Sequence, residues 1–105
     1  MRCGAELVAD TSISLIAFQY PKPEKRDELE ARLKELAKAS ALEQGCLAYE
    51  LSTLADNNSV FVFYERWASQ ADLDRHFNGE TFQAFWNERM TYLTKDVEVK
   101  ILQSV

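Results

Sequence analysis

The stretch VFVFYERW, residues 60–67, is the most apolar run in the chain, and its first five residues show no alternation between apolar and polar side chains. Such runs are typical of strands that are covered on both faces. The stretch before it, CLAYELSTL (46–54), does alternate, and three of its side chains are expected to share one face: Leu47, Tyr49 and Leu51. The turn formers ADNNS (55–59) lie between the two runs, which predicts a hairpin with a loop slightly longer than the tightest type.

The flanking sequence supplies further elements. ISLIAFQY (13–20) is rich in β-branched and aromatic residues and stops at a proline, which indicates a first strand. Leucines at helical spacing predict a helix over 24–44, ended by Gly45 in a left-handed conformation. After the hairpin, a capping pattern predicts a short helix to Asn78, Gly79 interrupts it, and a second helix follows over 80–93. VEVKIL (97–102) alternates as a last strand.

This order of elements predicts an α+β fold of the ferredoxin-like split βαβ type, with a four-stranded antiparallel sheet and its helices on one face. The opposite face would expose part of the apolar strand, so we expect a second copy to cover it in a homodimer, with a cavity between sheet and helices. Residues 13–105 are expected to form this single domain. Residues 1–12 are expected to be an N-terminal extension that either adds an edge strand or frays.

Composition excludes several classes of function. The chain has 105 residues and a formal net charge of -5, which argues against nucleic acid as a partner because phosphate binding needs clustered Lys and Arg. It has no apolar run long enough to span a membrane, so we expect a soluble cytoplasmic protein without membrane partners. Cys3 and Cys46 are expected to stay reduced, and their spacing to each other and to His76 predicts no metal site.

Five segments placed by this reading resemble the antibiotic biosynthesis monooxygenase (ABM) family of the dimeric α+β barrel superfamily, and its quinol monooxygenase-like members in particular. They are EQGCLAYEL (43–51), FVFYERWAS (61–69), LDRHF (73–77), TFQAF (81–85) and VEVKIL (97–102). The resemblance implies one of several chemistries: cofactor-independent oxygenation of phenols or anthrone-like compounds, quinol oxidation, isomerisation of a phosphorylated sugar, or haem degradation. Because the same fold supports all four chemistries, only the individual residues of the site can distinguish between them.

Cofactor-independent oxygenation needs a base that deprotonates the substrate, donors that hold its oxygen atoms, and a dry aromatic pocket. His76 matches the histidine of the family and has an unperturbed pKa near neutrality, so it is the first candidate for the base. The alternative for His76 is a surface or half-buried histidine without a catalytic role. Glu65 is expected either to orient His76 or to act as the base itself.

The remaining candidates are side chains expected to bind substrate: Trp67, Tyr49, Tyr64, Trp86 and Arg66. By the resemblance, Trp67 lines the cavity. The two tyrosines are candidate donors to a substrate oxygen, and Arg66 a partner for an acidic group. Each has a structural alternative, which is packing for the aromatic residues and an ion pair at the dimer interface for Arg66. Phe82 and Phe85 are expected to pack on the sheet.

Two departures from the family pattern restrict the chemistry. Haem-degrading members use an asparagine on the first strand and an axial histidine on the last helix. Here the first strand has no asparagine, and Trp86 stands at the position of the histidine. Iron would therefore lack its ligand, and no cofactor is expected. Thr81 replaces a second histidine that several quinol-oxidising and sugar-isomerising members carry, which leaves the substrate open.

The sequence therefore favours a cofactor-independent monooxygenase or quinol oxidase that acts on a small aromatic phenol or hydroquinone with dioxygen. One alternative is an isomerase in which the same base moves a proton on a small metabolite. The other is a non-catalytic dimeric module that binds an apolar ligand. That last reading would be favoured if His76 faces solvent and Tyr64 is buried without a pocket.

Overall fold

The computed structural model of the protein describes residues 10–105. Most of the predicted N-terminal extension, and Cys3 with it, lies outside this part of the chain, so those expectations stay predictions. Four strands form one antiparallel sheet in the order β2-β3-β1-β4. Their bounds are Ile13–Gln19 (β1), Cys46–Leu54 (β2), Asn57–Trp67 (β3) and Glu98–Leu102 (β4). This is the predicted ferredoxin-like α+β fold.

Three helices pack on one face of the sheet. A short 3₁₀ turn at Pro23–Lys25 leads into α1, and the helices span Arg26–Ser40 (α1), Gln70–Asn78 (α2) and Glu80–Tyr92 (α3). The Ser69 hydroxyl accepts a hydrogen bond from the backbone N–H of Asp72 and caps α2 as predicted. Helix α1 ends four residues earlier than its sequence pattern indicated, and turns connect it to β2.

Gly45 is the last residue before β2 and has a φ of 81°. This left-handed conformation strains residues that carry a Cβ. The Asp72 side chain also occupies the space that a Cβ at this position would need. The glycine therefore lets the chain turn into β2 while the start of α2 packs closely against it.

The hairpin differs from its prediction in two ways. The turn is only Ala55–Asp56, and the residues after it extend β3 beyond a register irregularity. In β2, Cys46 pairs with Trp67 but Ala48 pairs with Arg66, so Leu47 forms a β-bulge and its side chain is 55% exposed. The expectation that Leu47 shares a face with Tyr49 is therefore wrong, because the extra residue interrupts the alternation.

Helices cover one face of the sheet and leave the other face open. Side chains on the helix side form the core with the α1 leucines and Phe85, and these sheet residues are buried: Leu15, Ala17, Phe61, Phe63 and Trp67. The opposite face carries four half-buried apolar side chains, in the cross-strand pairs Ile16 with Tyr64 and Phe18 with Val62. Within residues 10–105, no helix has the length and apolar character needed to cross a membrane.

Candidate active site

A cavity of about 330 Å³ lies between the helix side of the sheet and helices α2 and α3. Its walls are mainly apolar, and six of the lining side chains are aromatic: Tyr49, Phe63, Phe77, Phe82, Phe85 and Trp86. Four polar side chains also line it: Gln19, Glu65, Asn78 and Gln83. An apolar pocket of this size with a few convergent polar groups is the usual form of a small-molecule site.

Glu65 is the ionisable carboxyl group in this cavity. It lies on β3 opposite Leu15 of β1 and is only 3% exposed. Burial raises the pKa of Glu65 to about 7, while hydrogen bonds from Trp67 and Tyr49 act to lower it. A carboxylate whose pKa lies near the working pH can both accept and return a proton. Glu65 therefore has the position and the proton affinity that a general base in this cavity requires.

His76 is 2% exposed and lies behind Glu65, outside the set of residues that line the cavity. Its Nε2 is 3.9 Å from Oε1 of Glu65 and 3.5 Å from the Tyr49 hydroxyl. Burial lowers the pKa of His76, although the hydrogen bond and charge of Glu43 act in the other direction. Glu65 therefore lines the cavity, and His76 is its buried neighbour.

Glu43 connects His76 to the outside of the domain. Its Oε1 is 2.6 Å from Nδ1 of His76, and its side chain is partly exposed. A neutral imidazole with its proton on Nδ1 satisfies this contact and leaves Nε2 free to accept a hydrogen bond from Tyr49. Burial and the Glu65 charge raise the pKa of Tyr49 well above its usual value, so its hydroxyl stays a donor.

Trp67 does not line the cavity, because its side chain is completely buried beneath Glu65 and His76. Its Nε1 donates a hydrogen bond of 3.0 Å to Oε1 of Glu65, and its ring stacks on the His76 imidazole at a centroid distance of 4.6 Å. Trp67 therefore contacts both the Glu65 carboxylate and the His76 imidazole from beneath, and its expected contact with substrate stays a prediction.

Trp86 lies on the cavity wall as expected. It stacks on Phe82, and the Arg89 guanidinium lies 3.7 Å from the centroid of its ring. Two hydrogen bonds of 2.7 and 3.0 Å from Arg89 to Asp96 hold the guanidinium in place. Phe82 and Phe85 also line the cavity, so they form the site in addition to packing on the sheet.

Tyr64 and Arg66 do not reach the cavity. Successive side chains of a strand point to opposite faces, and both residues alternate with Glu65 on β3. The Arg66 guanidinium instead lies 3.1 Å from the Ser12 hydroxyl and 3.7 Å from the Asp10 carboxylate. The alternation therefore places Tyr64 and Arg66 outside this cavity, and their expected contact with substrate stays a prediction.

Two residues of the site were not among the sequence candidates. The sequence around Glu43 does not predict its contact with His76, because the two residues lie 33 positions apart in the chain. Gln19 could have been found, because Leu15 and Ala17 alternate with it on the buried side of β1. Residues 10–105 contain no group of three or more His, Cys, Asp or Glu side chains arranged to hold a metal ion.

The sequence matches a known family and several known proteins. The family described as Antibiotic biosynthesis monooxygenase matches residues 12–88. A Mycobacterium tuberculosis protein named "Putative monooxygenase Rv0793" is 30% identical over 90 residues, which cover 86% of this chain and 88% of that protein. An uncharacterised Synechocystis protein is 32% identical over 93 residues, 89% of this chain, although the match spans only 63% of its own length.

Solved structures have the same fold. The structure of Rv0793 superposes with a TM-score of 0.84 at 29% identity and covers 90% of this chain and 95% of that one. PA3566 from Pseudomonas aeruginosa gives a TM-score of 0.83 at 32% identity, again with 90% of this chain and 95% of that one covered. The likeness therefore extends over most of the chain.

Proposed function

The chain belongs to the antibiotic biosynthesis monooxygenase family, and from this premise we propose that it oxidises a small aromatic phenol or hydroquinone with dioxygen and without a cofactor. The family and the relatives named as monooxygenases support a monooxygenase-like function. The observation that carries the finer proposal is Glu65, a buried carboxyl group with a pKa of about 7 in an aromatic cavity. The criterion for a purely binding module is not met, because His76 is buried and Tyr64 is half-buried on the other face.

The reaction begins when Glu65 removes the proton of a substrate hydroxyl. The resulting phenolate is electron-rich and gives one electron to dioxygen, which becomes superoxide. Superoxide then combines with the radical of a phenol, or takes a second electron from the radical of a hydroquinone. A phenol and O₂ then yield a quinone and water, whereas a hydroquinone and O₂ yield a quinone and hydrogen peroxide. The substrate supplies all electrons in both cases. The protein supplies the base and an aromatic cavity that keeps water away.

In this proposal His76 and Glu43 form the route by which the proton passes from Glu65 to solvent. After Glu65 has accepted a proton, Nε2 of His76 is the nearest basic nitrogen, at 3.9 Å, and Nδ1 of the same ring contacts the partly exposed Glu43. During this transfer the Glu65 side chain is proposed to rotate, so that the pair comes within hydrogen-bond distance. In this proposal His76 is a positioning and proton-transfer residue, and it does not touch the substrate.

Oxygen uptake by metal-chelated protein tests the proposal, with reduced naphthoquinones, naphthols and anthrones as substrates. We expect uptake above autoxidation, and kcat/KM should rise about tenfold per pH unit up to pH 7 and level off above it. The reason is that the protonated Glu65 carboxyl, which predominates below a pKa of about 7, cannot act as a base. Besides Glu65, the groups that face this site are Tyr49, His76 and Glu43.

If kcat/KM instead levels off above about pH 4.5, Glu65 is not the base with a raised pKa, because that value belongs to a carboxyl group in water. No uptake on any substrate would contradict the proposal as a whole. In that case anaerobic conversion of a ligand would support the isomerase, and binding without conversion would support the binding module.

A homodimer is part of the same proposal. The open sheet face carries Ile16, Phe18, Val62 and Tyr64, all only half-buried, and an apolar patch of this kind on a sheet favours association. Light scattering after size exclusion should give twice the mass of the chain. Val62→Lys should give one chain, because it puts a charge at the centre of the patch, and the exposed Leu42→Lys should leave the dimer intact. A monomeric wild-type protein at sub-millimolar concentration would contradict the dimer.

A further inference from the structure

The cavity opens to solvent between helix α3 and the edge strand β4. Val99 of this strand lines the cavity and is 44% exposed, and Val97, directly before the strand, lines it as well. Trp86 of α3 is the half-buried aromatic residue on the other side of this opening, whereas Phe63 and Phe85 are buried at the inner wall. The opening between Trp86 and the two valines is called the mouth below.

Arg89 connects the two sides of the mouth. Its Nη1 donates a 2.8 Å hydrogen bond to the Trp86 carbonyl, and its Nε and Nη2 donate to the carboxylate of Asp96. That carboxylate also accepts a 2.7 Å hydrogen bond from the backbone N–H of Val97. Within residues 10–105, the side-chain hydrogen bonds between α3 and the segment entering β4 are those of Arg89 with Asp96. A bidentate pair of this kind fixes geometry as well as adding energy.

The ring of Trp86 is held between two side chains of its own helix. Phe82 precedes Trp86 by four residues and Arg89 follows it by three, so the two lie on opposite sides of the ring along the helix. The Phe82 ring stacks at a centroid distance of 5.4 Å, and the guanidinium lies 3.7 Å from the centroid of Trp86. A cation over a tryptophan face stabilises that orientation of the ring. Loss of the guanidinium would uncover this face and free the ring to turn away from the cavity.

The backbone near Arg89 has its own support. The N–H of Lys22 donates a 2.8 Å hydrogen bond to the Tyr92 carbonyl, and the N–H of Thr94 donates one of 2.8 Å to the Tyr20 carbonyl. These bonds tie the end of α3 and the loop after it to the segment that follows β1. Removal of the Arg89 side chain should therefore change the mouth without unfolding the end of the helix.

We propose that Arg89 is a positioning residue that holds Trp86 at the mouth and thereby sets how tightly a substrate is retained. Arg89 does not line the cavity and acts only through Trp86, while Asp96 keeps the guanidinium in place. This inference rests on the proposed function for the use of the cavity. It adds that a side chain outside the cavity controls its mouth.

Oxidation of 2-naphthol and its anaerobic binding, measured by calorimetric titration, test the inference. Arg89→Ala should raise KM and the dissociation constant about fivefold, which is the size of one cation–π contact at a partly exposed site. Its kcat should change by less than about twofold, because Glu65 keeps its hydrogen bond from Trp67. Arg89→Lys keeps a cation near the ring but cannot form the bidentate pair, so its KM should lie between the two.

Arg32→Ala is the matched control. Arg32 lies 5.7 Å from the ring centroid of Phe85 on the same helix and pairs with the Glu88 carboxylate at 2.6 Å. It therefore makes the same kinds of contact to α3, but Phe85 is fixed in the core, away from the mouth. The affinity of this variant for 2-naphthol should equal that of the wild type.

Quenching of tryptophan fluorescence by acrylamide reports the position of the Trp86 ring directly. Trp67, the other tryptophan, is completely buried, so the accessible signal comes from Trp86. The Stern–Volmer constant should rise about twofold in Arg89→Ala, because one covered face of the ring becomes open. The double variant Arg89→Ala with Asp96→Ala should behave like Arg89→Ala alone, since both residues act through one contact.

Three outcomes would overturn the inference. They are an unchanged affinity for 2-naphthol in Arg89→Ala, with or without a change in quenching, an equal loss of affinity in Arg32→Ala, and additive effects in the double variant. If thermal melting shows that Arg89→Ala does not fold, Arg89→Lys is measured in its place. Binding and quenching need no turnover, so a wild-type protein that oxidises no substrate would contradict the proposed function while these two measurements still decide the role of Arg89.

Discussion

Glu65→Gln should lower kcat for phenol or hydroquinone oxidation by about 10²–10³-fold, which is the usual contribution of a positioned general base. The substitution removes the basic carboxylate but keeps an oxygen that can accept the hydrogen bond from Nε1 of Trp67. The cavity should therefore keep its shape, and KM should change much less than kcat. Steady-state oxygen uptake at pH 8 gives both constants.

Glu50→Gln is the matched control for this prediction. Glu50 lies on β2 opposite Tyr64 and is exposed on the other face of the sheet. It should have nearly wild-type kcat. A Glu65→Gln variant with kcat close to wild type would show that the base is elsewhere, and His76 would be the next group to replace.

Trp67→Ala should lower the free energy of unfolding by about 3–5 kcal/mol, the range for truncating a large buried aromatic side chain. Trp67 is completely buried, it stacks on His76, and its removal takes one hydrogen-bond donor away from the Glu65 carboxylate. Denaturant unfolding at pH 7 measures the change. A loss below about 1 kcal/mol would contradict the tight packing of this residue.

Trp67→Phe separates the packing of the ring from its hydrogen bond. It retains an aromatic ring against His76 but removes Nε1, whose hydrogen bond lowers the pKa of Glu65. The pKa should rise without this bond, so the pH at which kcat/KM levels off should move upward. An unmoved pH profile would show that the bond does not tune the base.

The fold followed from local patterns, whereas the site depended on distant contacts. The apolar β3 run, the capping residue Ser69 and the left-handed conformation of Gly45 are each defined by a few neighbouring residues, and these were predicted correctly. The expectation that Gly45 itself ends the first helix was wrong, because that helix ends at Ser40. The choice between Glu65 and His76 was different. It depends on which side chain reaches the cavity and on how burial changes a pKa, and neither is encoded in a short stretch of sequence.

Single-residue irregularities also limited the prediction. Alternation in β2 was interpreted as continuous, but the bulge at Leu47 interrupts it and keeps Tyr49 on the side of the cavity. On β3 the alternation is regular, and it separates Glu65 from Tyr64 and Arg66. Strict application of the two-residue period would therefore have excluded Tyr64 and Arg66 from the cavity.

The bulge at Leu47 also determines how this strand tolerates changes of length. Cys46 and Ala48 pair with the adjacent residues Trp67 and Arg66, so the chain holds one residue more than the ladder needs at this point. Loss of Leu47 alone would restore a regular ladder and leave every later side chain on its present face. Loss of a residue between Tyr49 and the turn would instead force the rest of the strand to reverse its faces or shift its register. We therefore expect this strand to tolerate a one-residue deletion at Leu47, two residues before the tyrosine of the site.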